Sequence, residues 1–310
     1  MSSDQKIKEF VAGQVKFFCY GARNTPLQRF PSDGGLEYET VYFPAYDGVM
    51  LEAWYIPCKG SNKLVISNHP MTFNKGGYPG SQPGFDMFGP IEVNLIPDYV
   101  HLNKAGYNVL VYDMRNHGRS QNNWGGPRVF TTGYEESKDM VGALQYAKAR
   151  PETKNMDIAL YARCMAANST IVAFHRYPEF FKDIKCLVAL QPVSAKTFVI
   201  TGAKAQGMDG VEAAKLFDQG VYEEHGLRAS QLEPQFACPS VHVPTLIAQV
   251  RKDVFVDAEL DTQEIYDLIG CKEKKLFWIE GTTRRFDGYN YFPDKPEELI
   301  GWLQKYMPAK

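Results

Sequence analysis

Six short, nearly continuous apolar runs constrain this chain more than any other feature. They cover residues 64–67, 107–112, 158–161, 186–190, 245–250 and 275–279. Runs without polar alternation read as strands buried on both faces, and strands that alternate with helices imply a parallel sheet. Helical periodicity at 91–105, 134–150, 165–177, 258–270 and 296–306 supplies the crossovers. Upstream, 38–43 and 50–56 alternate around Ala45-Tyr46-Asp47-Gly48, an Asp-Gly turn that signals a hairpin. Residues 5–20 suit an amphipathic helix with Ile7, Phe10, Val11, Val15 and Phe18 on its buried face. The expected architecture is therefore α/β, a mostly parallel, doubly wound sheet entered through an N-terminal antiparallel hairpin. At 310 residues and 44% hydrophobic content, the chain can bury a core of that size. We divide it into a helical extension over 1–37 and an α/β domain over 38–310.

Two insertions interrupt the pattern. Residues 71–90 form a loop rich in Gly, Pro and aromatics, and a loop of that length inside a compact domain is usually functional. It follows the first parallel strand, so it sits at the carboxyl edge of the sheet, where ligands bind in open α/β folds. The second insertion, about 193–240, is too short for a core of its own and reads as a small helical cap inserted in the domain.

Composition excludes several classes of partner. Thirty-four basic residues against 36 acidic ones give no surface suited to nucleic acid or an anionic membrane. No apolar run is long enough to span a bilayer, and the polar N-terminal stretch lacks the apolar segment of a secretory signal. The six cysteines are scattered without Cys-x-x-Cys spacing, which argues for reduced thiols over a disulfide framework or zinc site. A cytoplasmic protein without metal or cofactor, acting on a small molecule, is expected; a homodimer is left open.

The chemistry concentrates at Ala162-Arg163-Cys164-Met165-Ala166. An apolar strand stops there and a helix begins, with small residues two positions either side of the cysteine. That is the spacing of a strand–nucleophile–helix elbow, where strand and helix approach too closely for larger neighbours. A cysteine between two alanines is also common in plain core packing.

Several strand ends together resemble the α/β-hydrolase superfamily, its dienelactone-hydrolase and esterase-like members in particular. Asn68-His69-Pro70-Met71 follows the first parallel strand, where that family carries an oxyanion-hole loop. Asp113-Met114-Arg115-Asn116-His117-Gly118-Arg119-Ser120 is similar to the family's Asp-x-Arg-Gly-His-Gly-x-Ser segment. Cys164 stands at the nucleophile position, and Asp253 follows the fifth strand at the position of the acid. Residues 279–289 follow the last strand, where the family places its histidine, and Arg284 occupies that slot with Arg285 beside it. The resemblance covers roughly residues 38–306 and implies the α/β-hydrolase fold.

An arginine in the histidine slot changes the expected mechanism. A Ser-His-Asp site uses its imidazole first as base for the nucleophile and then to activate water. A guanidinium does not deprotonate and can do neither. A thiol at a helix N-terminus, beside Arg163 and facing Arg284, is expected to exist partly as thiolate and to need no base for attack. Asp253 and Arg284 are expected to pair and hold the guanidinium toward the pocket.

The Met71 and Met165 amides are the candidate oxyanion hole; Pro70 has no amide hydrogen to give. His69, Tyr78, Phe85, Phe286 and Tyr289 are the candidate substrate contacts, with Phe88 and Tyr291 as further aromatics. Of the remaining histidines, His117 reads as structural and His175 lies about three turns along the elbow helix. His101 and His242 flank other elements, and His225 in the cap could reach over the pocket. The expected function is a hydrolase with an atypical cysteine site, acting on a small to medium ester, thioester, lactone or activated ketone. An acyltransferase or lyase built on the same residues, or a non-catalytic ligand-binding descendant, are the alternatives.

Overall fold

The computed structural model describes residues 3–21, 25–123 and 130–308; Met1 and Ser2 of the polar N-terminal stretch lie outside them. The chain opens with helix α1 (Ser3–Tyr20), followed by strands β1 (Glu39–Pro44), β2 (Met50–Ile56) and β3 (Lys63–Ser67). The first insertion holds the three-residue strand β4 (Gly77–Pro79), which pairs with β5 (Glu92–Asn94) just after it, and the chain goes on to α2 (Ile96–Lys104) and β6 (Asn108–Tyr112). Then come α3 (Ser137–Ala149), β7 (Asp157–Arg163), α4 (Met165–Arg176) and β8 (Ile184–Leu190). The second insertion is helical: α5 (Ala195–Ala205), α6 (Gly210–His225) and α7 (Ala229–Leu232). The chain continues with β9 (Thr245–Val250), α8 (Ala258–Leu268), β10 (Lys274–Ile279), α9 (Arg285–Asp294) and α10 (Glu297–Tyr306).

Eight strands form one sheet in the order β1-β2-β6-β3-β7-β8-β9-β10. β1 pairs with β2 and β2 with β6 in antiparallel fashion, and every later pairing is parallel. The hairpin closes on Ala45, whose amide donates to the Val49 carbonyl at 2.7 Å, and Gly48 supplies the positive φ of 90° that the turn needs. β3 and β7 are adjacent at the middle, so the loop after β3, the elbow after β7 and the acid loop after β9 emerge on one carboxyl edge. That is where an open α/β sheet places its ligand.

Apolar side chains fill both faces of the sheet. α3, α4 and α8 cover one face through residues such as Leu144, Ile171 and Ile265; α2, α9 and α10 cover the other through Tyr99, Phe292 and Leu303. A third cluster lies outside the sheet, where Val11, Val15 and Phe18 of α1 meet Phe217 and Val221 of α6 and Val199 of α5. A Cβ added at Gly220 on α6 would lie 2.7 Å from Val15, so the two helices meet at closest approach there.

Two stretches differ from the pattern read in the sequence. The helix expected over 91–105 begins only at Ile96, because residues 92–94 pair with β4 and the Asn94 side chain accepts the Ile96 amide at 3.1 Å. Pro97 in the first helical turn fits, since its missing N–H would have no partner there. Helix α9 has no counterpart in the expected set. Its sequence carries Gly288 and Pro293 and little amphipathic pattern, and packing of Gly288 against Gln191 and Val250 holds it.

Candidate active site

Strand β7 ends at Arg163, and the next residue turns the chain into α4. Cys164 takes φ 53°, ψ −122°, a strained conformation for a side chain that is not glycine, costing about 1–3 kcal/mol that the surroundings must supply. Ala162 and Ala166 on either side are fully buried, which is why nothing larger fits. The turn is clamped at several points. The Cys164 amide donates to the Leu190 carbonyl at 2.8 Å, and its own carbonyl accepts the Asn168 amide at 3.0 Å. The Asn168 side chain donates to the carbonyls of Thr132 and Val193 and accepts the Val193 amide at 3.1 Å.

Arg163 does not serve the thiol. Strand alternation sends its guanidinium to the opposite side, stacked 3.8 Å from the Tyr161 ring and fully buried. There it pairs with Asp98 and donates to Ser67 Oγ at 2.9 Å and the Asn68 carbonyl at 2.6 Å. Its charge is spent on anchoring the end of β3.

The slot for a histidine is filled by Arg285, not by Arg284. Arg284 caps α9 from outside, and its side chain, 60% exposed, pairs with Asp287 at 2.9 Å. Arg285 begins the helix and points inward. Its Nη1 donates to Asp253 Oδ2 at 2.8 Å, its Nε to the Tyr289 hydroxyl at 3.0 Å, and an Nη2 hydrogen to the Gln191 carbonyl at 2.6 Å. The same Nη2 lies 3.9 Å from Cys164 Sγ.

Burial opposes the Arg285 charge, yet Tyr289, Asp253 and Cys164 around it outweigh burial and raise its pKa above the usual arginine value. It is a permanent cation in a buried position. Tyr289 is pushed well above a normal phenol, chiefly by burial, with Arg285 opposing and a contact to Cys164 adding to the rise. It stays a neutral hydroxyl. Asp253 is held in turn by Gln249 at 3.2 Å and by the Phe255 amide at 2.9 Å.

The sulfur of half-buried Cys164 opens onto a cavity of about 490 Å³. Met71 and Met165, the expected oxyanion-hole residues, and Phe286 and Tyr289, expected substrate contacts, line it. Among the described residues no hydrogen bond occupies the Met71 or Met165 amide. Arg285 is the one charged side chain in the described lining; Phe17, Phe198 and Phe255 make most of the rest apolar.

Three expected substrate contacts lie elsewhere. His69 follows β3 as foreseen but turns inward, where its Nδ1 donates to the Pro70 carbonyl and its Nε2 accepts the Met114 amide at 3.1 Å. Burial holds it neutral, lowering its pKa to about 4 although Asp113 opposes that shift. Tyr78 is buried in a stack against Phe73, and Phe85 packs on the Tyr78 ring behind the cavity wall.

No other histidine reaches the sulfur. The His117 Nε2 accepts the Thr72 amide, His101 bonds the Pro293 carbonyl, and exposed His175 bonds Ser240. His242 bonds the Ser240 carbonyl, and His225 lines a separate small void beside Phe18 and Cys19. Tyr291 packs against Phe277, away from the cavity.

Sequence reading missed Gln191, Asn168 and the aromatic side of α1. Gln191 gave no signal, since only its place after β8, with φ 56°, brings its carbonyl to Arg285. The α1 signal was present: Phe10, Gly13, Gln14 and Phe17 recur at helical spacing and all face the cavity.

No protein-family model matches the chain. A stretch of 158 residues is 25% identical to the polyketide transferase grgF of Penicillium sp, covering 51% of this chain and 46% of that protein. The match thus spans about half the length of this curated relative. Among solved structures, the esterase Pf2001 of Pyrococcus furiosus superposes with a TM-score of 0.65 at 24% identity, over 92% of this chain and 98% of that one. GrgF from Penicillium sp. sh18, described as an alpha/beta hydrolase, superposes with a TM-score of 0.59 at 17% identity, over 88% of this chain and all of the other (100%). The esterase Est1E of Butyrivibrio proteoclasticus, with ferulic acid bound, gives 0.57 at 17% identity, over 87% of this chain and 100% of its own. The chain has the α/β-hydrolase fold.

Proposed function

We propose that the chain is an acyl-group enzyme that works through a covalent intermediate on Cys164. The observation that carries this reading is the strained cysteine at the head of α4, its sulfur facing the cavity and 3.9 Å from the Arg285 guanidinium. The sulfur attacks the carbonyl of an ester, thioester, lactone or activated ketone, and a new C–S bond forms. The oxyanion is received by the Met71 and Met165 amides. In an ester, thioester or lactone the carbonyl then re-forms, the bond to the alcohol or thiol group breaks, and that group takes up the proton the Cys164 thiol gives up. The acyl group stays on Cys164. With an activated ketone, which has no such group to expel, the reaction stops at the reversible thiol adduct. Asp253 and Tyr289 hold the Arg285 guanidinium beside the sulfur. Resolution of the acyl-enzyme needs a second nucleophile.

Hydrolysis is the reaction in the names of the esterase neighbours, and transfer is that of the Penicillium relative. The site favours transfer or capture over rapid hydrolysis, because five histidines are hydrogen-bonded away from the sulfur, His225 lines a separate void beside Phe18 and Cys19, and a guanidinium cannot activate water. A thiol or other strong nucleophile needs no such help. We place the protein in the cytoplasm, with a small-molecule substrate.

Turnover of a panel of activated esters and thioesters by wild type and Cys164→Ala, with and without an added thiol acceptor, tests the proposal. Loss of turnover in the variant and acceleration by the acceptor support it. Equal turnover in both forms removes Cys164 from the chemistry, and ligand binding without turnover in either form makes the chain a binding protein.

A further inference from the structure

The cavity grades from a buried floor at Met165 and Ala195 to an exposed rim at Gly13 and Gln206, with the body of the sheet on one side and α1 and α5 on the other. Two features of that outer wall stand out. The first is Gly13, in the middle of an 18-residue helix, where glycine costs about 0.5–1 kcal/mol relative to alanine. Nothing in its surroundings requires the missing side chain: a Cβ placed there meets no atom within 4 Å, and its φ is not in the left-handed range. On the facing helix, a Cβ placed at Gly202 would lie 3.0 Å from the Phe10 ring, so the bare backbone packs against that ring. The second feature lies on the rim itself, where Met87 and Val254 are 61% and 56% exposed although apolar. A small polar substrate would explain neither the open space nor these side chains.

We infer that the substrate carries an extended apolar acyl chain that runs from Cys164 along the groove between α1 and α5 to the Met87–Val254 rim, and that Gly13 keeps this groove open. The inference rests on the proposed role of Cys164 and adds the substrate class. Each methylene that enters the groove leaves water, and the transfer free energy per methylene corresponds to about a fourfold gain in apparent affinity.

The test needs no knowledge of the natural substrate. Cys164 is alkylated under saturating and subsaturating conditions with a series of N-alkyl iodoacetamides from methyl to decyl, and site occupancy is read by peptide mass spectrometry. For wild type, the second-order rate at Cys164 rises with chain length, by about fourfold per methylene at first and less as the rim is reached. Gly13→Phe lowers the decyl-to-methyl rate ratio at least tenfold. Gly13→Ala lowers it far less and raises the melting temperature, and Gly301→Ala, on the surface of α10, leaves it unchanged. A wild-type rate independent of chain length, or an unaltered ratio in Gly13→Phe, overturns the inference while Cys164 keeps its role. If instead Cys58 is labelled ahead of Cys164 by every reagent, the proposed nucleophile fails, and the substrate inference falls with it.

Discussion

At the scale of single residues, the site depends on side chains whose direction the sequence does not encode. The elbow was legible because a strained turn restricts its neighbours, and Ala162 and Ala166 are small for that reason. The choice between Arg284 and Arg285 was not legible, because a one-residue shift at the start of α9 decides which side chain points inward, and loop length does not set that register. The two arginines therefore make a sharp comparison. Arg285 serves Asp253, Tyr289 and Gln191 at once, which a single ammonium cannot do. Arg285→Lys is expected to cost about 2–3 kcal/mol in urea unfolding and most of the activity. Arg284→Ala, which removes only an exposed pair, is expected to stay within about 0.5 kcal/mol of wild type with activity intact. His69 was placed on the right loop, but its imidazole serves the backbone. Its folded pKa of about 4 lies below the ordinary 6.5, so the unfolded chain takes up the proton first as pH falls. The stability held by neutral His69 is complete above pH 6.5 and is lost on descent toward pH 4, by about 3 kcal/mol. Comparing urea unfolding at the two pH values for wild type and His69→Gln isolates that loss, which the variant lacks.

At the scale of elements, the loop after β3 is fixed by a buried charge cluster that sequence reading saw only in part. Lys75 Nζ pairs with Glu52 at 2.9 Å and Asp113 at 2.6 Å, and its amide donates to Asp113 Oδ1 at 2.7 Å. The segment from Asp113 to Ser120 was recognisable from its residues. The physical reason is that Asp113 sits against Gly118, where a Cβ would come within 2.2 Å of its carboxylate. The partner lysine was hidden inside a Gly/Pro-rich loop that gives no periodic signal. Lys75→Met is expected to leave two buried carboxylates facing each other, destabilising the fold by about 3–5 kcal/mol. It is also expected to lower acylation by releasing the loop that carries Met71. A melting curve close to wild type would show that the cluster does not hold this loop. The strands were the most legible elements, since burial on both faces leaves no room for polar alternation. Helix α9 was the least, because tertiary packing around Gly288 supplies what its sequence pattern lacks.

At the scale of the molecule, a sheet with helices on both faces presents the chemistry, and a separate helical layer encloses it. The amphipathic pattern of α1 was readable, but not its two-sided use, with Val11, Val15 and Phe18 on α6 and Phe10 and Phe17 toward the cavity. Gly220→Leu is expected to separate α1 from α6 at the Val15 contact. Hydrogen exchange should then quicken over residues 7–18 while the sheet strands keep their protection; unchanged exchange in α1 would mean the helix is held elsewhere. The proposed mechanism takes Cys164 as nucleophile, the Met71 and Met165 amides as oxyanion donors and Arg285 as a fixed cation, with no base for water among the described residues. That claim is tested most directly by intact-protein mass spectrometry after rapid mixing with an activated acyl ester. The expected result is one acyl group on Cys164 formed within the mixing phase, persisting in buffer and discharged on adding a small thiol. An acyl-enzyme that water clears as fast as it forms, or an adduct that survives in Cys164→Ala, would contradict the account.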